Sequence, residues 1–355
     1  MFPDPPGCSF ASDNAAGIHP EVLAAISEAN SGHALAYGAD RWTSNVEKEF
    51  NELFGKEVSV FLTLNGTGTN ILALATMLRP GESVLCTDWS HINDDEAAAP
   101  ERILSTKLIS TPSEGGKMSV DSVHARAEAL GNIHHAQPGV LSLTQATEWG
   151  TTYSIDELGE LCEVAHSYGM RVHLDGARIA NAVAALGNGR TGLRQMVVET
   201  GIDTMSFGGT KNGLMAAEAV IHLTPYPTQL GQHLRKQVNQ LGSKMRFVAA
   251  QFLAALKDDR WLDWASHANS MATVLHSGAT GIIGESAGPP PAVNSMFPTL
   301  SDAVADPLRE WCFFWGWNSA SSQHRWMTSW DTTREDVECF LHGLQIAVSQ
   351  AENRN

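Results

Sequence analysis

Between residues 58 and 223, short and almost unbroken apolar runs alternate with segments whose apolar positions recur every three or four residues. The runs fall at 58–64, 83–87, 106–111, 140–145, 171–174, 204–207 and 218–223. Their lack of polar alternation predicts strands covered on both faces, as in a parallel sheet between layers of helix. The periodic segments predict helices over 69–78, 94–103, 121–130, 155–168 and 177–186. Two more precede the alternation: 20–29, with Pro20 in its first turn, and 44–54, where Val46, Phe50, Leu53 and Phe54 share a face. Alternation of this length predicts an α/β fold with a mostly parallel central sheet in a large domain.

The character changes after Thr224-Pro225-Tyr226-Pro227, which reads as a break. Residues 228–256 predict a long helix that Gly242 can interrupt, and Gly284 to Pro298 a loop or edge strand. The apolar run Trp311 to Trp317 predicts a strand, 324–330 its hairpin partner and 334–349 a closing helix. These elements predict a flexible arm over 1–11, a large domain over 12–235 and a smaller C-terminal α/β domain over 236–355.

With 43% hydrophobic residues in 355, the chain can bury a sizeable core. Its formal charge of -16 argues against nucleic acid or an anionic membrane as partner. The five cysteines are scattered, without CxxC pairs or zinc spacing, as expected of reduced thiols in a cytoplasmic protein that binds no metal. No apolar stretch approaches the ~18 residues of a membrane span, and residues 1–7 lack signal-peptide features.

Two of the runs end in chemistry. Arg171-Val172-His173-Leu174 leads into Asp175-Gly176, and Thr204-Met205-Ser206-Phe207 into Gly208-Gly209-Thr210-Lys211. A carboxylate and an amine at the carboxyl ends of neighbouring parallel strands face one crevice. Pyridoxal 5'-phosphate (PLP) requires this pair: the amine forms the Schiff base, and the acid keeps the ring nitrogen protonated. Either residue alone is more simply a surface charge; together, with glycine on their flanks, they favour the cofactor. A third run, Val60 to Leu64, enters Asn65-Gly66-Thr67-Gly68-Thr69 and then a helix. Free N–H groups at such a helix start suit a phosphate, although tight turns also take glycine for steric reasons alone.

These motifs together resemble the low-specificity L-threonine aldolases among the fold-type I PLP enzymes, which share the aspartate-aminotransferase-like architecture. The resemblance runs from Ser12-Asp13-Asn14 through Tyr37-Gly38-Ala39-Asp40, Asn65-Gly66-Thr67, Ser90-His91 and Ala99-Pro100-Glu101. It continues through His173 to Arg178, Gly208 to Gly213, and Arg325 to Asp331. The chain looks most like the bacterial subgroup that also cleaves phenylserine-type substrates. By this resemblance Lys211 holds PLP, Asp175 pairs with its ring nitrogen, His91 stacks on the ring, and Gly66 and Thr67 cradle the phosphate. Ser12, Arg178 and Arg325 grip the substrate carboxylate. Members are homotetramers built from dimers, in which Tyr37 reaches a neighbouring site.

The resemblance implies a lyase that cleaves threonine, allo-threonine or phenylserine-type β-hydroxy-α-amino acids to glycine and an aldehyde. Such cleavage needs a base for the β-hydroxyl proton. The candidates are His91, Glu148 or an ordered water, with His91 preferred. Glu148, in Thr147-Glu148-Trp149-Gly150, replaces a histidine that many members carry, and Ser329 replaces another. Simpler roles compete: a helix cap for His91, a solvated loop for Glu148, a salt bridge to Asp175 for Arg178 and a cation–π contact for Arg325. Asp94, Asp95 and Glu96 read as helix N-terminal charges, and the Trp-rich segment 311–330 as core of the small domain. Two other functions compete with the aldolase: a PLP-dependent β-eliminating lyase releasing ammonia and a keto acid, and a non-catalytic protein binding a phosphate ligand.

Overall fold

The computed structural model describes residues 2–224, 226 and 228–353. Its main sheet has seven strands in the order β1-β7-β6-β5-β4-β2-β3. They are β1 (Ser59–Thr63), β2 (Glu82–Thr87), β3 (Lys107–Thr111), β4 (Gln137–Thr144), β5 (Arg171–Gly176), β6 (Thr204–Gly208) and β7 (Glu218–His222). Only β7 runs against its neighbours β1 and β6. The other pairings are parallel, so β1 to β6 share one direction. All seven apolar runs are strands of this sheet, and the α/β, mostly parallel architecture is the one expected.

Helices cover both faces because their apolar stripes need the sheet. The helix Arg41–Phe54 starts where Asp40 accepts the Thr43 N–H at 2.9 Å, and stops at Gly55, whose φ is 68°. Phe50 on its buried face meets Phe207 of β6 and Phe252, with ring centroids 5.4 and 5.3 Å away. The helix Ile155–Ser167 opens with a capping box between Ser154 and Glu157.

A second sheet, in the order β8-β10-β9, joins β8 (Ser295–Met296), β9 (Trp315–Asn318) and β10 (Gln323–Met327). It contributes to a separate core that includes Phe314, Trp326, Phe340 and Leu344. Phe10 is fully buried in that core. The prolines of 1–11 predict a flexible arm. Instead, the Met327 N–H donates to the Phe10 carbonyl, the Gly7 N–H to Asp336, and the Trp311 indole N–H to the Pro3 carbonyl; Met1 lies outside the described residues.

Three elements differ from expectation for local reasons. The helix expected over 94–103 is two short pieces, His91–Asp94 and Ala99–Leu104, because Pro100 suits a fresh helix start and Ala97 and Ala98 turn with φ of 50° and 57°. The span 228–256 is two helices, Thr228–Gln237 and Arg246–Leu256; Pro225 and Pro227 of the expected break lie outside the described residues. The run 311–317 is not one strand: Trp311 ends the helix Asp302–Trp311, whose Pro307 the apolar pattern masks, and only Trp315 and beyond pair with β10. No helix among the described residues is long and apolar enough to cross a membrane.

Candidate active site

Because β1 to β6 point one way, the loops leaving their carboxyl ends converge. Asn65, Gly66 and Thr67 follow β1, His91 follows β2, Glu148 follows β4, Asp175 lies near the end of β5, and Lys211 follows β6. All line one cavity of ≈350 Å³, shared with Asn14, Ser206, Thr210 and Glu218. The acid and the amine that the sequence singles out therefore sit in one hollow.

Asp175 is buried, and every feature around it serves its charge. Its Oδ2 accepts the Asn70 side-chain N–H at 2.8 Å and its Oδ1 the Ala177 N–H at 3.0 Å. Burial pushes the carboxyl upward, but His91, Lys211 and the Ala177 N–H outweigh it and hold it below its usual range. Behind it His173 bonds Ser142 Oγ at 2.9 Å and Ser206 Oγ at 3.0 Å. Burial depresses this imidazole and keeps it neutral.

His91 is half-buried, and its Nδ1 lies 2.9 Å from Glu96 Oε1. That bond raises the imidazole above its ordinary range, against the effect of burial. It also fixes the tautomer: with Nδ1–H given to Glu96, Nε2 remains available as an acceptor.

Lys211 lies in the one-turn helix Thr210–Asn212, which ends at Gly213 with φ of 85°. Glu218 at the start of β7 braces this turn by accepting the Gly209 N–H at 3.0 Å and the Thr210 N–H at 3.3 Å. Burial pushes its carboxyl up to about 7, although these bonds and Lys211 pull it down.

At the other end of the cavity stands the N-terminus of the helix Gly66–Met77, capped by Asn65, which accepts the Gly68 N–H at 2.8 Å. A Cβ on Gly66 would meet nothing within 4 Å, so the backbone there faces open space. The donor set therefore suits PLP: an ionised acid, an amine and a helix N-terminus arranged around one hollow.

The remaining candidates lie outside this lining. Arg178 does not pair with Asp175; its Nε and Nη2 donate to Asp13 at 2.6 and 2.9 Å in a buried ion pair. Ser12 is the N-cap of the turn that carries Asp13, with its Oγ accepting the Asn14 N–H at 3.2 Å. Arg325, on β10, donates to the Ala11 carbonyl, its Nε is buried without a partner, and its guanidinium lies 4.6 Å from the Trp317 ring centroid. It lines a second cavity that also contains Glu148. Glu148 is thus buried where the two cavities meet, not solvated in a loop. Tyr37 is 52% exposed, with φ of 60° and Lys236 over its ring. Ser329 is buried and bonds Asp331. Of the Trp-rich segment only part is core: Trp326 is buried, whereas Trp315 is 52% exposed and Trp317 lines the second cavity.

Sequence reasoning missed Asn70, Glu96, Ser206, Asp13 and Glu218. Glu96 reads as a helix-terminal charge, but it turns inward between the two short helices to meet His91 and the Asn70 side chain. The signal for it was Pro100, which breaks the helix that would have carried Glu96 outward.

The chain matches the β-eliminating lyase family over residues 9–300. It is 40% identical over 342 residues to a low specificity L-threonine aldolase of Pseudomonas aeruginosa, covering 96% of this chain and 97% of that one. Its fold superposes on Leishmania major threonine aldolase with a TM-score of 0.86 at 28% identity, over 96% of this chain and 99% of that one. Sphingomonas wittichii serine palmitoyltransferase shares the fold at a TM-score of 0.74 and 16% identity, over 97% of this chain and 88% of that one.

Proposed function

Because this chain belongs to the β-eliminating lyase family and, within it, to the low-specificity L-threonine aldolases, we infer that it is a PLP-dependent lyase. It cleaves β-hydroxy-α-amino acids of the threonine, allo-threonine and phenylserine type to glycine and an aldehyde. The observation that carries this reading is the single hollow containing Lys211, Asp175 and a helix N-terminus.

When bound, PLP supplies an electron-accepting ring that draws off the electron pair of the breaking Cα–Cβ bond. Lys211 would tether it, Asp175 would supply a fixed negative charge for its ring nitrogen, and the N–H groups of Gly66 and Thr67 would receive its phosphate. His91, in the same cavity, would help to hold the ring. Arg178 and Arg325 orient the substrate through its carboxylate, with Ser12 beside them; a planar guanidinium suits that task. Support for Arg325 comes from its buried, unpartnered Nε, and for Arg178 from Asp13, which fixes the guanidinium in one orientation. His91 Nε2 takes the β-hydroxyl proton, since Glu96 occupies Nδ1; Glu148 is the alternative base.

The exposed Tyr37 suits a homotetramer in which it reaches a neighbour's site, and five free thiols suit the cytoplasm.

The test is incubation of the purified protein with a panel of β-hydroxy amino acids, scoring glycine and aldehyde against ammonia and keto acid. Glycine with aldehyde from the wild type, and loss of both aldehyde and visible absorbance in Lys211→Ala, is the expected result. Ammonia and keto acid would instead establish β-elimination, and a yellow, active Lys211→Ala would end the reading.

A further inference from the structure

The hollow around Lys211 contains a carboxylate that the proposed function leaves without a role. Glu218 lines the same cavity as Lys211, and it does so from β7, the strand that runs against its neighbours. Its register partner is Gly208, the last residue of β6, so the two strands meet where the chain enters the Lys211 turn. Its two oxygens accept the N–H groups of the two residues that precede Lys211, Gly209 at 3.0 Å and Thr210 at 3.3 Å. The Thr210 hydroxyl accepts the Ala217 N–H at 3.2 Å, which closes the turn onto the start of β7. The carboxyl is therefore buried and fixed next to the residue that carries the amine.

Glu148, Asp175 and Glu218 all line this hollow, and each answers to different charges. Asp175 answers to His91 and Lys211. Glu148 acts on Arg178, Arg325 and His91. For Glu218 the neighbouring charge is that of Lys211. The elements packed against it add none: β1 and β6 present Thr63 and Gly208 in register with it, and the helix Gly66–Met77 contains no charged residue. A buried carboxylate is costly unless it is paired, and two backbone N–H groups leave lone pairs on both oxygens unused. Burial raises this carboxyl to about 7, while its bonds to Thr210 and Gly209 and the Lys211 charge pull it down. Above that pH the hollow holds a negative charge beside Lys211.

We propose that Glu218 is a positioning residue for Lys211: it fixes the turn that carries the amine, and its carboxylate keeps the Lys211 nitrogen protonated once that nitrogen is joined to PLP. Opposite charges in one hollow each favour the other's charged form, and protein charges beside a cofactor's reacting atoms tune its electronics. This rests on the PLP reading above.

The test is a pH titration of the visible absorbance of the holoenzyme, which changes as the Lys211 nitrogen loses its proton. Wild type is compared with Glu218→Gln, which removes the charge, and with Glu218→Asp, which keeps it at the end of a shorter chain. The expected midpoint is lower than that of the wild type by about one pH unit or more in Glu218→Gln, with Glu218→Asp between them. A brace without charge gives another order: Glu218→Asp loses its reach to the N–H groups, and its midpoint falls at or below that of Glu218→Gln. That order, an unchanged or raised midpoint in Glu218→Gln, or no titration in either protein up to about pH 10 overturns the proposal. If Glu218→Gln does not fold, Glu218→Asp decides alone: a lowered midpoint supports the proposal, and one at or above that of the wild type overturns it. A wild-type protein that takes up no PLP overturns the PLP reading and this inference with it.

Discussion

Asn70 donates its side-chain N–H to Asp175 Oδ2 at 2.8 Å, tying the acid at the end of β5 to the helix Gly66–Met77. The same amide nitrogen reaches Glu96 Oε1 at 3.0 Å, and its oxygen accepts from Ser206 Oγ at 2.7 Å. One carboxamide thus connects the acid, the partner of His91 and strand β6. Asn70→Ala leaves two buried carboxylates each short of a donor, and it should destabilise the fold by about 3 kcal/mol. Urea denaturation reads this as a lower midpoint at unchanged slope. An unchanged midpoint would show that the network adds no stability.

The contact between His91 and Glu96 has a signature in pH. Glu96→Gln removes the carboxyl hydrogen bond that raises the imidazole, so the His91 pKa should fall, as followed by NMR of the ring protons. His91 titrates higher in the folded state than its unfolded value of about 6.5. The stability it contributes is therefore full below that pH and is lost as pH rises through the raised folded value. The stability gap between wild type and Glu96→Gln should be wider at about pH 6 than at about pH 9. A constant gap would mean the imidazole gains nothing from Glu96.

Gly208 ends β6 where the chain turns toward Lys211. A Cβ there would stand 2.4 Å from the Ala177 carbonyl oxygen, just beyond Asp175. Backbone cannot yield as a side-chain tip can, so Gly208→Ala should separate β5 from β6 at their carboxyl ends. We expect a loss of about 3 kcal/mol together with weaker PLP uptake, measured by cofactor fluorescence. Full stability with normal uptake would argue that the two strand ends are not closely coupled.

What was legible in the sequence follows from the range of the forces involved. Strands buried on both faces write continuous apolar runs, so the sheet and the positions of Asp175, Lys211 and the Asn65-Gly66-Thr67 turn could be read from local pattern. Glu96 and Glu218 could not, because their roles depend on which elements pack against them. Glu96 is distinguished from Asp94 and Asp95 only by a bend between two short helices. Arg178 has Asp175 three residues away in sequence, yet its partner is Asp13, brought in by the N-terminal segment. The run 311–317 shows the opposite limit: composition indicates strand, but helix Asp302–Trp311 takes its first residue and the cavity takes Trp315 and Trp317.

Glu218 gives the last prediction, and its sign is the reverse of a usual carboxylate. Burial raises its carboxyl to about 7 in the folded protein, whereas in the unfolded chain it titrates at about 4.3. Between these values the folded state binds the extra proton, so stability falls as pH rises through that window. The loss is on the order of 4 kcal/mol, since each tenfold difference in proton affinity is worth about 1.4 kcal/mol. Glu218→Gln keeps an acceptor for the Gly209 N–H but has no proton to lose. Its urea midpoint should therefore change less between about pH 5 and pH 8 than that of the wild type. Parallel pH dependence in the two proteins would mean that Glu218 stays ionised in the fold, with the N–H groups of Gly209 and Thr210 and the amine of Lys211 outweighing its burial.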